Sequence, residues 1–267
     1  ECNDGDEVGN PSARTFERYR QFAQGGPGVL FIESCTVTRE CRGRIRQLGI
    51  SAKTAGSMAS LVRAIRAESR EPLILVQISH DGSRSNPVFS RKAGAGELSA
   101  KELEAIEDFY ADAARIVHEI GADGIDFKCC HGYLGCEILR PSNTRPDRFG
   151  GSFENRTRFF WETISKIRDR VRDPSFLLGA RLSVIEELPG GFGTSGPGST
   201  DRDLREPVAL ARHMEADGLH YVNVSVTSVP NSHPTSARSW LVSAHFEATQ
   251  AIKESVRIPV MGAGYSM

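Results

Sequence analysis

Apolar, β-branched runs alternate with stretches of helical period along nearly the whole chain. Residues 28–33, 72–78, 125–128, 177–184, 221–226 and 258–262 read as six strands. Between them the period changes. Leu61, Val62 and Ile65 share a face over 57–67, and Ser99-x-x-Glu102 forms a capping box. That box opens a helix with Leu103, Ile106, Tyr110, Ala113, Val117 and Ile120 on one stripe. Ser152 caps a helix bearing Phe160, Ile164, Ile167 and Val171, which Asp173-Pro174 ends. Weaker helical patterns cover 208–214 and 244–255.

Repeated βα units with near-continuous apolar strands predict a parallel sheet covered by helices. The long polar loops, 186–200 and 227–239, both follow strands, which favours an α/β barrel over a doubly wound sheet. No linker or change of composition interrupts the chain, so 1–267 is expected to be a single domain. A closed barrel of this (β/α)8 TIM-barrel type has eight strands, and the pattern supplies six.

Charge removes one class of function: 33 Lys and Arg against 34 Asp and Glu provide no basic surface for nucleic acid. The apolar runs are too short to cross a bilayer, and residues 1–6 lack the pattern of a signal peptide. The six cysteines therefore read as reduced thiols of a cytoplasmic protein. Cys35/Cys41 and Cys130/Cys136 are spaced more widely than zinc pairs, and no metal site is expected.

The segment 126–160 holds the most chemistry. A strand ends and delivers Lys128, His131 and Tyr133 to its C-terminal mouth. A Lys, an imidazole and a phenol together can bind an anionic oxygen and donate a proton to carbon. Equally, Tyr133 can pack under a loop and His131 can cap a turn. Asn143, Arg145, Asp147, Gly150, Gly151 and Arg156 read as residues that hold a long loop rather than touch a substrate. Gly191-x-Gly193-x-x-Gly196 is a weak dinucleotide fingerprint, because Pro197 keeps a helix from opening there. It is expected to be a mobile loop over the substrate mouth.

His131-Gly132-Tyr133-Leu134, Pro141, Asn143, Arg145, Asp147, Gly150-Gly151-Ser152, Glu154-Asn155-Arg156 and Arg158-Phe159 together resemble the old yellow enzyme family, including its NADH:flavin oxidoreductase and 2,4-dienoyl-CoA reductase-like branches. Weaker similarity runs through Gln77-x-x-His80, residues 121–124, Arg181-x-Ser183 and Ile258-Pro259-Val260. The resemblance implies an α/β barrel that holds FMN, an NADH or NADPH reductant, and an electron-poor alkene as substrate.

It further implies that Gln77 bonds the pyrimidine side of the flavin, that Arg181 lies near N1 and O2, and that Ser34 lies by N5. Gly262 and Gly264 would belong to the turn that clamps the FMN phosphate. Tyr133 matches the proton donor to the substrate α-carbon, and Lys128 with His131 matches the pair that binds the carbonyl oxygen. Lys128 departs from the common His, substituting a flexible point charge for a planar donor. His80, after a strand, could also lie near the flavin. Compared with the family, the first and eighth strands are expected to lie outside this sequence. Two alternatives remain: an aldolase- or lyase-like barrel with a Schiff base on Lys128, and a non-catalytic fragment unable to retain flavin alone.

Overall fold

The computed structural model describes residues 1–91, 93–226 and 239–262, with the backbone alone for 239–244. In chain order the elements are α1 (Ala13–Gln24), β1 (Val29–Thr36), α2 (Ala55–Glu68), β2 (Leu73–Ser79), α3 (Ala100–Glu119), β3 (Gly124–Cys129), α4 (Leu134–Leu139), α5 (Phe153–Val171), β4 (Leu177–Ile185), α6 (Arg205–Ala216), β5 (Tyr221–Val226), α7 (Ser239–Ser255) and β6 (Val260–Gly262). The strands follow one another through the sheet in sequence order. The pairs β1/β2, β4/β5 and β5/β6 are parallel. All six predicted strands are present. The long polar loop expected over 227–239 lies, apart from its last residue, outside the described residues.

The chain forms two compact units. The first comprises Glu1–Ala93, Lys101–Asp126 and Glu162–Leu177, and the second Gly94–Ala100, Phe127–Trp161 and Leu178–Met267.

In the first unit, α1 escaped the sequence pattern because its buried stripe is only Thr15, Tyr19 and Ala23, too sparse to register as a period. Its start is nevertheless well specified. Thr15 N–H donates to Ser12 Oγ at 3.3 Å, and Ser12 N–H donates to Thr15 Oγ1 at 3.1 Å. Arg18 then ties α1 to Asp4 and to Glu33 of β1, the latter at 2.6 Å.

Asp123 gathers the strand starts. Its carboxylate accepts from Arg66 of α2 and from Ile74 N–H at 2.6 Å, while its backbone carbonyl accepts from Leu177 N–H at 2.8 Å. Gly124 follows because nothing larger fits: a Cβ there would meet Leu177 O at 2.2 Å. Beyond β2, His80 is wholly buried, and its Nδ1 accepts from Gly82 N–H at 3.2 Å. Burial, helped by Arg91, pushes its imidazole down to about 3.

In the second unit, Phe127 stacks on Phe160 of α5, with ring centroids 5.4 Å apart. Alternation along β3 therefore turns Asp126 and Lys128 to the sheet face away from α5. Asn155 N–H donates to Ser152 Oγ at 3.3 Å, giving the predicted cap of α5. Helix α4 was not predicted: its six residues are all buried and too few to show a period.

Gly124→Ala is expected to destabilise the protein by roughly 1–3 kcal/mol or more, since the obstacle is backbone and cannot rotate away. Urea unfolding measures this, and an unchanged midpoint would remove Gly124 from the packing argument. His80 gives a second expectation. It is neutral in the fold down to about 3, whereas the unfolded chain binds the proton near the ordinary 6.5. Its contribution is thus present above that pH and lost as pH falls towards 3, at up to about 1.4 kcal/mol per pH unit. Stability measured from pH 7 to 4 should fall less steeply in His80→Gln than in the wild type.

Candidate active site

The site residues of the second unit are built around the end of β3. After Cys129 the chain turns through two consecutive left-handed residues, His131 at φ +58° and Gly132 at φ +72°. Glycine adopts this region freely, whereas a histidine there costs of order 1–3 kcal/mol unless the surroundings hold it. They do. His131 N–H donates to Ser183 Oγ at 2.8 Å, and its Nε2 lies 2.7 Å from Ser225 Oγ. The turn places Tyr133 as the N-cap of α4. Gly135, in the first turn of α4, lets that helix approach β3, since a Cβ would meet Cys129 Sγ at 2.7 Å.

Lys128 is fully buried, and its Nζ lies 3.5 Å from the centroid of the Tyr133 ring. Lys128, His131 and Tyr133 are thus delivered together to the mouth of β3. The bland alternative for His131, that it caps a turn, is partly realised through its backbone, while its ring reaches across to β5.

Arg181 of β4 approaches the same serine, its Nη2 lying 3.5 Å from Ser225 Oγ. Because a guanidinium only donates, Ser225 accepts from it, and the same hydroxyl, with two lone pairs and one proton, also bonds His131 Nε2. Arg181 Nε is buried and has no hydrogen-bond partner, and among the described residues no carboxylate pairs with Arg181.

The segment 140–156 holds itself together, as the sequence suggested. Asn143 Nδ2 donates to Ile138 O and Phe149 O, both at 2.8 Å. Arg145 bonds Leu98 O at 2.7 Å and pairs with Asp147. Arg156 bonds Leu139 O and Gly151 O and pairs with Glu206.

The segment 186–200, expected as a loop over the substrate mouth, carries internal hydrogen bonds. Glu186, fully buried, receives both Arg140 Nε and Nη2 at 2.8 Å, and also Phe192 N–H at 3.1 Å. Burial opposes the charge of Arg140, but Glu186 outweighs it and holds the guanidinium protonated. Phe192 is fully buried, and Gly190 and Gly193 turn at φ +67° and +84°. The Gly-rich string is therefore a hydrogen-bonded cap over a buried ion pair, and no helix opens from it.

The first unit carries its own share of the candidates. Gln77 of β2 is nearly buried, and its Nε2 donates to Asp126 Oδ2 at 2.6 Å. This fixes the amide with its carbonyl end as the remaining acceptor. Ser34 Oγ donates to Ser79 Oγ at 2.8 Å. Gly262 is the last residue of β6, and Gly264 lies outside the described residues.

These features fit FMN. In the second unit the orphaned Nε of Arg181 suits the electron-rich N1 and O2 edge of the ring. In the first unit, taken by itself, the oriented Gln77 amide offers an acceptor to a ring N–H. Ser225 and Asp126 were not singled out from the sequence, and Ser183 entered only as part of the Arg181-x-Ser183 resemblance. The signal was there, since Asn223 and Ser225 alternate with valines in β5, and Asp126 and Lys128 alternate with apolar residues in β3.

A family model described as the NADH:flavin oxidoreductase / NADH oxidase family matches residues 1–266. An NADH oxidase of Thermoanaerobacter brockii is 28% identical, over 98% of this chain and 41% of that protein. An NADPH dehydrogenase of Geobacillus sp. (strain WCH70) is 28% identical, over 79% of this chain and 62% of that protein. The chain thus spans roughly two fifths to three fifths of these relatives.

Among solved structures, a 2-naphthoyl-CoA reductase complexed with 2-naphthoyl-CoA superposes over 97% of this chain and 42% of its own, at TM-score 0.82 and 23% identity. The old yellow enzyme homologue from Zymomonas mobilis superposes over 97% of this chain and 74% of its own, at TM-score 0.77 and 18% identity. These likenesses establish the TIM-barrel-type α/β fold, with six of its strands among the described residues. With residues 1–266 matched and the old yellow enzyme motif borne on β3, α4 and α5, the chain belongs to the NADH:flavin oxidoreductase / NADH oxidase family, whose cofactor is FMN.

Proposed function

We propose that the chain is the FMN-binding part of an NAD(P)H-dependent oxidoreductase that reduces the C=C bond of an α,β-unsaturated carbonyl compound. The observation that carries this reading is the contact chain His131–Ser225–Arg181, at 2.7 and 3.5 Å. It joins the imidazole that matches the family's carbonyl ligand to the cation that matches the flavin-side arginine.

When bound and reduced by NADH or NADPH, FMN supplies hydride to the β-carbon of the alkene. The chain's own residues do the rest. Arg181 holds the ring, its guanidinium favouring the anionic reduced form. His131, its ring held by Ser225, donates to the substrate oxygen, and Lys128 adds positive charge on the same side. Tyr133 keeps a phenolic proton and gives it to the α-carbon. The cytoplasm is the proposed compartment, supported by six cysteines that are all free thiols in the fold.

Tyr133→Phe should slow alkene reduction by about 10²- to 10⁴-fold, with reduction of the flavin by NADPH unchanged. Stopped-flow of the two half-reactions separates them. If anaerobically reduced enzyme is reoxidised by no electron-poor alkene, the assignment fails. Arg181→Gln should weaken FMN binding by roughly ten- to a hundredfold, as loss of a charged hydrogen-bond donor does. Flavin fluorescence titration measures this, and unaltered affinity would remove Arg181 from the cofactor site.

A further inference from the structure

Lys128 presents its amine to the face of Tyr133, 3.5 Å from the ring centroid, and is itself wholly buried. This contact does two things at once. The π-face is an electrostatic partner for an ammonium withdrawn from water, so the lysine and the ring fix each other's position. The ammonium also sits on the face of the ring that bears the phenolic oxygen, in a medium where a unit charge acts strongly.

We propose that Lys128 serves the reaction through Tyr133, holding the ring in one orientation and stabilising the phenolate that remains when its proton leaves. The proposal rests on the reading of Tyr133 as proton donor. In the step concerned, the phenolic O–H bond breaks and a C–H bond forms at the α-carbon. The electron pair for that bond comes from the enolate carbon that hydride addition has created, and water later returns a proton to the phenolate. No further oxidant or reductant enters, because the hydride has come from NAD(P)H.

Other titratable groups of the bracketing elements are Asp126 of β3, which accepts from Gln77 Nε2, His131 in the turn, Glu137 of α4, Arg181 of β4 and Glu186 directly after it. Glu137 accepts from Ala95 N–H at 3.1 Å, and Glu186 is neutralised by Arg140. His131 and Arg181 are joined through Ser225. Within the second unit, Lys128 is the cation seated on the ring.

The test is a spectrophotometric titration of Tyr133, read near 295 nm as the difference between wild type and Tyr133→Phe. In the holoenzyme, Tyr133 should ionise below the ordinary tyrosine value of about 10. The same difference in a Lys128→Met background should shift upward by at least one pH unit, a tenfold increase in proton affinity. Ionisation at or above the ordinary value in the wild type overturns the proposal without any lysine variant, so misfolding of Lys128→Met does not protect it.

If instead Lys128 acts only on the substrate oxygen, Lys128→Met raises KM for the enone and leaves the titration unmoved. That outcome also overturns it. Should the titration shift as expected while Tyr133→Phe reduces alkenes at the wild-type rate, the Lys128–Tyr133 coupling stands and the proton-donor reading falls.

Discussion

Two consecutive left-handed residues at the end of β3 decide where the chemistry of this chain can sit. A chain that leaves β3 through His131 and Gly132 reverses abruptly, and Tyr133 becomes the N-cap of a new helix rather than a continuation of the sheet. The reversal is uphill for a histidine. Ser183 and Ser225, from two neighbouring strands, offset it with one bond to the backbone and one to the ring. Strain and positioning are therefore the same fact. The bonds that make the turn tolerable also aim the imidazole, and Gly135 allows α4 to close down behind it.

The strands were legible because most of their residues are buried, and β3 and β5 throughout, so that they read as apolar runs. Their ends blur where hydrogen bonding and apolarity part company. β6 begins at Val260 although the apolar run starts at Ile258, while Pro259, which has no N–H to donate, still accepts from Val222 N–H at 3.0 Å. The helices missed were those whose buried stripe was too sparse, as in α1, or whose length was less than two turns, as in α4.

The site was legible in part. Lys128, His131 and Tyr133 stood in a dense motif, but Ser225 stood in an ordinary-looking strand. What could have flagged it is period two: a polar residue at every second position of a buried strand must face something polar. Partners such as Asp126 for Gln77 cannot be read this way, because they depend on register between segments 49 residues apart.

The treatment of buried cations separates scaffold from site. Arg140 receives a two-toothed carboxylate from Glu186, and Arg156 is surrounded by Leu139 O, Gly151 O and Glu206. Each is satisfied internally, as a cation withdrawn from water must be if it is not to destabilise the fold by several kcal/mol. Arg181 is treated otherwise. Its recorded contact is a serine hydroxyl at 3.5 Å, its Nε is buried without a partner, and no carboxylate pairs with it among the described residues. A fold that completes Arg140 so thoroughly has the means to complete Arg181 and leaves it open. Unsatisfied donors at a positive centre are tolerated where a ligand supplies the missing acceptor. An electron-rich ring edge would do so while drawing the least rearrangement from the protein, because Ser225 already holds the guanidinium on one side and the imidazole on the other.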